Sequence, residues 1–498
     1  MRSTIKIVIL LFFICTSMSG ASFPDMEKYM RQHALIWEQL PMQWNEGAFL
    51  GNGLVGMMVY ADSTLNALVF HLGRPDVTDH RKAPYRKTSI GTEEADKMVD
   101  FCRLDVGKML LFPEGKILSG TFYLDIYNAE LTGHLKTDKG DLTFHAYTPQ
   151  PEEVNIVEVS SGVPYRWKGI PGNPCSPRIR VFPHLKEKLK YKDNPAPVVN
   201  QKDKEGSWVQ SLLAGGDYAT YWKEVPGGKS RSVLYVSTAN EVPASSLSLA
   251  KAMKTVEATQ ITGTKLLKQK TRQWWNAYHE RSFLSIPDKK LENFYFIQMY
   301  KLATCSHPDG PAMDVMGTFF KLSPWPSFWW NLNIQLTYMP IGPANRMEQG
   351  KNFQRLMDEV FPSLVRSIEP CKIGDYTWAL QNYYMYLRYA GADWQDIKQQ
   401  VVPKALDAFA VFDKILCYKE NTWHLTHIES PEYEGFQKYN DSNYGLASLS
   451  WLLQTLIACH DRTSSTHPDY ARWKEILTRL APVSYTHLRA HETDQYLV

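Results

Sequence analysis

Val233-Leu234-Tyr235-Val236-Ser237-Thr238-Ala239-Asn240-Glu241-Val242-Pro243-Ala244-Ser245-Ser246-Leu247-Ser248 is where the chain changes its period. Val233 to Val236 alternates, as do Val154 to Val159 and Trp208 to Leu212, which is the two-residue repeat of a half-buried strand. From Ser246 to Thr259 the spacing becomes helical. On the N-terminal side, Leu65 to Phe70, Thr121 to Tyr127, Leu131 to Leu135 and Leu142 to Tyr147 read as short strands. Asn52-Gly53 and Asp138-Lys139-Gly140 supply turn signals between them. Residues 162–183 and 195–206, rich in Gly, Pro and charge, read as long loops. On the C-terminal side, Thr264 to Glu280, Leu291 to Thr304, Tyr376 to Tyr389, Trp394 to Leu416, Asn443 to Cys459 and Tyr470 to Leu480 read as helices. A β-sandwich half followed by an α half is predicted.

The 498 residues, 44% hydrophobic and 21% charged, have an ordinary globular composition with ample core. Fifty-five Lys and Arg against 52 Asp and Glu leave a net charge of +3, which argues against a nucleic-acid partner. Fifteen Trp and 27 Tyr are compatible with sugar binding, because flat apolar rings match the C–H faces of pyranoses, although large cores use aromatics too. The 7 Cys are scattered singly, so neither a zinc site nor a disulfide framework is predicted, and no cofactor is expected.

Arg2 and Lys6, the short apolar run Ile7 to Cys15 and the small residues Ser17 to Ala21 read as an export signal cleaved after Ala21. Bulky Phe13 and Ile14 before Cys15 disfavour a lipid anchor. That run falls short of the about 20 apolar residues a membrane span needs, and no integral membrane segment is expected elsewhere. The C-terminal stretch Ser484 to Thr493 resembles translated adapter sequence. It is expected to be a non-native tail on a chain whose natural sequence continues, and the 498-residue chain is expected not to turn over.

Three segments carry candidate chemistry. Trp329-Trp330-Asn331-Leu332-Asn333-Ile334-Gln335 places two amides two positions apart. They converge on one cavity only if the backbone is extended or bent at a helix start. Helix capping is the other common use of an Asn there. His424-Leu425-Thr426-His427-Ile428-Glu429-Ser430-Pro431-Glu432-Tyr433-Glu434 holds three carboxylates in six positions behind two His. Burial of one among aromatics would raise its pKa toward that of a glycosidic general acid, whereas a loop cluster is more often solvated. In Asp375-Tyr376-Thr377-Trp378-Ala379-Leu380-Gln381, Trp378 could form a sugar platform and Gln381 a hydroxyl partner, or both could simply pack.

In this order the segments resemble glycoside hydrolase family 95, the inverting α-L-fucosidase and α-L-galactosidase family. The carrying motifs are Gly51-Asn52-Gly53-Leu54-Val55-Gly56, Trp274-Trp275 with Tyr278 and Ser282 through Pro287, Trp330-Asn331-Leu332-Asn333-Ile334-Gln335, and Ser430-Pro431-Glu432. The resemblance implies an N-terminal β-super-sandwich over 22–243 after a signal peptide at 1–21. A helical linker over 244–289 and an incomplete (α/α)6 catalytic barrel over 290–482 follow, with 483–498 as the foreign tail. It implies that Glu432 is the general acid and that Asn331 and Asn333 hold the attacking water. Trp330, Trp378, Gln381 and His427 are the expected substrate contacts. The sequence departs from the family around Glu46, Asp76 and His80, and has Met339 where Trp is expected. No residue here takes the base role, which is expected beyond the end of the chain.

The function this predicts is a secreted or periplasmic inverting exo-α-glycosidase acting on an oligosaccharide or glycan. It would remove terminal α-L-fucose or a related sugar such as L-galactose. An inverting phosphorylase of related fold and a non-catalytic carbohydrate-binding relative are the alternatives.

Overall fold

The computed structural model describes residues 25–81, 99, 101–241, 247–429 and 437–482. The export signal, the C-terminal tail and the Ser430-Pro431-Glu432 motif, with Glu434, lie outside the described residues.

The N-terminal half is two antiparallel sheets. One has nine strands in the order β1-β6-β7-β8-β9-β14-β13-β12-β11: β1 Leu35–Trp37, β6 Ile117–Asp125, β7 Glu130–Thr137, β8 Asp141–Tyr147, β9 Val154–Ser161, β14 Arg231–Glu241, β13 Asp217–Gly228, β12 Glu205–Ser211 and β11 Val198–Gln201. The other has five, in the order β10-β5-β4-β3-β2: β10 Tyr165–Ile170, β5 Lys108–Pro113, β4 Ala67–Gly73, β3 Gly56–Asp62 and β2 Ala48–Gly51. Leu68, Phe70, Met109 and Leu111 of the smaller sheet meet Phe122, Leu131, Phe144, Val157 and Leu234 of the larger one in one core. Alternation is what makes this possible, since a period of two sends every second side chain to the same face.

Three of the expectations above need correction. The stretch 162–183 holds β10 and the short helix Pro177–Val181. Its alternation is diluted by Gly169, where a Cβ would come within 2.5 Å of the Trp208 ring. The stretch 195–206 holds β11, an edge strand whose four residues are all exposed and therefore carry no apolar pattern. The single helix expected over 394–416 is two, Trp394–Gln400 and Val402–Phe412, because Pro403 in the first turn of the second cannot extend the first.

The helical half begins with α1 Ser248–Thr262 and α2 Thr264–Glu280. Ala252, Val256 and Leu267 cover the outer face of the large sheet against Tyr147, Tyr221 and Tyr235. Then come α3 Lys289–Cys305, α4 Asn333–Tyr338, α5 Lys351–Glu359, α6 Phe361–Ser367, α7 Ile373–Tyr389, α8 Trp394–Gln400, α9 Val402–Phe412, α10 Asn443–Thr463 and α11 Tyr470–Arg479. Their apolar stripes share a second core that includes Phe353, Ile373, Tyr383, Phe412, Leu449, Leu453 and Trp473. No helix among the described residues is long and apolar enough to cross a membrane.

The two halves are stitched at the Gly51-Asn52-Gly53 turn. Asn52 is fully buried; its amide donates to the carbonyls of Pro149 and Glu152 at 2.8 Å each and accepts from the N–H groups of Leu54 and Val55 at 3.0 Å. Gly53 donates to the Thr304 carbonyl at 3.0 Å, has φ +81°, and a Cβ there would sit 2.3 Å from the Ser306 carbonyl carbon. Gly53→Ala therefore meets both a disfavoured conformation and backbone it cannot displace, and is expected to cost about 2–4 kcal/mol. Urea unfolding checks this: a midpoint equal to that of the wild type would mean the turn does not hold the halves together.

Candidate active site

Three helices start at one place. Asn333 opens α4, Asp375 is in the first turn of α7, and Tyr444 is in the first turn of α10. The contacts between them are direct. The Gln335 side-chain amide donates to the Asp375 carbonyl at 2.9 Å, the Asn382 amide donates to the Gln335 carbonyl at 2.7 Å, and the Tyr444 hydroxyl donates to the Asp375 carboxylate at 2.7 Å. The segment 416–441 enters α10 from the same end, through the strand Thr422–Leu425 and the short pair Ile428–Glu429 with Lys438–Tyr439.

The two amides are set by a bend at the helix start. Leu332 has φ +57° and ψ −55°, and the Asn333 N–H donates to the Asn331 carbonyl at 2.5 Å, which closes a three-residue γ-turn. For a leucine this conformation is strained, and such strain persists only where the surroundings impose it. Asn331 is buried, whereas Asn333 is exposed and lines a cavity of about 800 Å³ at the junction of the two halves. Neither amide caps α4 through its side chain, so the capping use of these residues is not made.

Asp375 is the titratable group that sequence reading passed over; it stood at the head of a quoted segment without a role. Burial pushes its carboxyl up to about 7; the Glu429 charge pushes the same way, and the Tyr444 hydrogen bond and Lys372 pull against it. The native state therefore keeps a proton that the unfolded chain loses near 3.8. The stability this gives is present below that pH and is lost as pH rises through about 7, on the order of 4 kcal/mol in all. Asp375→Asn copies the neutral form. It is expected to raise the melting temperature at pH 8 while changing it little at pH 4. A variant equally destabilised at both would mean the carboxylate form is the one the fold needs.

The structure places the remaining candidates unequally. Trp378 and Gln381, three apart and so on one face of α7, together line a cavity of about 360 Å³ with Met339 and Tyr389, and another of about 260 Å³ with Tyr444 and Trp451. Trp330 is 1% exposed and packs behind the Asn pair, its ring 5.2 Å from those of Phe328 and Tyr376. It offers no face to a sugar and instead backs the turn that holds Asn331. His427 is exposed, at φ +56°, with its N–H donated to the Asn440 side chain at 3.1 Å. His424, three residues earlier, is tied to Asp441 at 2.6 Å. Glu429, close enough for its charge to bear on Asp375, is the described residue nearest in sequence to Glu432.

A β-sandwich half followed by a helical array, with three helix starts meeting at one end, is the architecture observed. No family model matches the chain and no curated protein matches it in sequence. Among solved structures it is similar to a candidate kojibiose phosphorylase from the human microbiome, at 10% identity and a TM-score of 0.55, over 88% of this chain and 66% of that one. A bacterial glucoamylase complexed with acarbose gives 9% identity and a TM-score of 0.49, over 90% and 69%. A family GH92 α-mannosidase from Bacteroides thetaiotaomicron gives 8% and 0.34, over 87% and 61%. The first of these likenesses is one of fold, and this chain spans 66% of that structure's length.

Proposed function

We propose that the protein is an inverting exo-α-glycosidase that removes terminal α-L-fucose, or a related sugar such as L-galactose, from glycans. The observation that carries this reading is the strained Asn331-Leu332-Asn333 turn. It sits at the helix end that also holds Asp375, Tyr444 and the segment leading to Glu432. In an inverting reaction a carboxylic acid protonates the leaving oxygen while a water attacks the opposite face of the sugar, the two carboxyl groups standing about 6.5–9.5 Å apart. Glu432 is the acid in this reading. The amides of Asn331 and Asn333 hold the water without adding charge in this reading, and Trp378 and Gln381, which line cavities other than the one Asn333 lines, are its sugar contacts. Asp375 is a positioning residue: neutral below about pH 7, it keeps a second negative charge away from Glu429. Glycan attack by water rather than by phosphate separates this reading from an inverting phosphorylase.

Release of free sugar from an α-L-fucoside and an α-L-galactoside, assayed with and without inorganic phosphate, tests it. Phosphate-independent release supports hydrolysis. A sugar phosphate as the product, in place of free sugar, overturns it. The reading also places the protein outside the cytoplasm. N-terminal sequencing after expression in a Gram-negative host is expected to start near Ser22 on periplasmic or medium protein, and an intact Met1 on cytoplasmic protein contradicts it.

A further inference from the structure

The strained turn at Leu332 closes a long connection. Residues 306–332, between α3 and α4, hold neither helix nor strand. Loops longer than about 12–15 residues are uncommon in compact domains, and an ordered one needs partners for its backbone groups. On its C-terminal side the turn is fixed within the helical half, where the Gln335 amide donates to the Asp375 carbonyl at 2.9 Å. On its N-terminal side the partners come from the sandwich half.

Arg103 is 1% exposed. Its guanidinium donates to the Gly317 carbonyl at 2.6 Å and to the Asp314 carboxylate at 3.2 Å, and its main-chain N–H donates to the Pro326 carbonyl at 2.6 Å. Arg178, in the short helix Pro177–Val181, is 5% exposed. Its guanidinium donates to the Pro324 carbonyl at 2.5 Å and lies over the Trp325 ring at 5.3 Å. The Ser327 hydroxyl donates back to the Phe101 carbonyl at 3.3 Å. Strand β4 backs the same connection so closely that a Cβ on Gly73 would come within 2.1 Å of the Thr318 carbonyl oxygen. The held carbonyls of Pro324 and Pro326 precede Asn331 by only seven and five residues. A guanidinium is a fixed fork of donors, so it sets direction as well as distance, and bonds from a charged donor are about twice as strong as neutral ones.

We infer that Arg103 and Arg178 are positioning residues, through which the sandwich half aims the Asn331-Leu332-Asn333 turn. The inference rests on the proposed function in that the aimed amides are those given the attacking water. Neither arginine takes part in a chemical step. A strained turn persists only while its surroundings hold it, and releasing one side lets it relax. Misplacing a reacting group by about 1 Å can cost about 10²-fold in rate. The sugar contacts of the proposed reading, Trp378 and Gln381, stand on α7, away from this connection. The signature of a released turn is therefore a lower kcat at nearly unchanged KM.

A probe beside Asn331 reads the turn without turnover. With 5-fluorotryptophan in the full chain, each Trp gives a fluorine resonance, and Trp330→Phe identifies the one that flanks Asn331. Arg178→Met removes the donor at similar chain length; Arg103→Lys keeps a charge against Asp314 and loses the fork. Each is expected to displace or broaden the Trp330 resonance in protein that circular dichroism shows to be folded. Should Arg103→Lys fail to fold, Arg178→Met and Arg178→Lys carry the test alone. On an α-L-fucoside, kcat should fall about tenfold to hundredfold with KM within about twofold, and Arg178→Lys should recover part of the loss. In an Asn333→Ala background Arg178→Met should cost about threefold or less, because groups that act through one another are not additive. A Trp330 resonance unmoved in the folded variants overturns the inference, as does an undiminished further loss in the Asn333→Ala background. A displaced resonance, with no cleavage of α-L-fucoside or α-L-galactoside by the parent chain, defeats the proposed function and leaves the sandwich's hold on the turn standing. Cleavage by the arginine variants at the parent kcat does the reverse.

Discussion

Glu432→Gln is expected to lower hydrolysis of glycosides with poor leaving groups by about a thousandfold, while activated aryl glycosides lose far less. A phenolate with a low pKa departs without help, so a missing proton donor shows only where protonation limits the rate. A preparation that turns over both substrate types is therefore needed, and the ratio of the two losses is the readout. Equal loss on both would count against Glu432 as the acid and turn attention to Glu429 or Glu434. Asp375→Asn serves as the comparison. As a positioning residue that works in its neutral form, it should retain activity at pH 6 and hold it above pH 7, where ionisation of Asp375 in the wild type brings a new charge beside Glu429. Loss at pH 6 with the leaving-group dependence of an acid variant would move the acid role to Asp375.

Asn333→Ala is expected to lower kcat about 10²- to 10³-fold, by analogy with the loss of one donor to a developing charge, and to leave the melting temperature nearly unchanged. Asn333 is exposed and makes no cap with its side chain, so little stability depends on it. Asn331→Ala should lose a similar amount of rate, with some cost in stability because Asn331 is buried. Steady-state kinetics on folded protein, beside a melting curve, separates the two effects. Unchanged kcat with a lower melting temperature would return both residues to a purely structural role.

Much of the sandwich is legible in the sequence because its strands bury one face. Leu131 to Leu135 and Leu142 to Tyr147 read as strands in the sequence, and the strands Glu130–Thr137 and Asp141–Tyr147 alternate in burial over most of their length. Strand β13 was missed for the opposite reason: its first six residues are all buried, since α1 covers the outer face, and two-sided burial erases the period. The exposed edge strand β11 had no pattern to read. At the site, the bend that convergence of Asn331 and Asn333 would require is present as the γ-turn at Leu332, and of the two only Asn333 lines the cavity of about 800 Å³. Trp330 is misleading in sequence because a Trp beside polar residues reads equally well as platform or as core, and only packing against Phe328 and Tyr376 decides it. Asp375 looks like an ordinary acidic residue in a first helical turn; its elevated pKa arises from burial and from Glu429, 54 positions away in the chain. The large cavity draws on residues from 44 to 333, so no single stretch could have revealed it.

The anomeric form of the sugar released first tests the central claim most directly. Proton NMR during the early phase of α-L-fucoside cleavage should show β-L-fucose appearing before mutarotation supplies the α form. That outcome requires a water delivered from the face opposite the leaving group, which is the role given to Asn331 and Asn333. If α-L-fucose appears first, the reaction proceeds with retention, and the arrangement of acid and held water described here is contradicted.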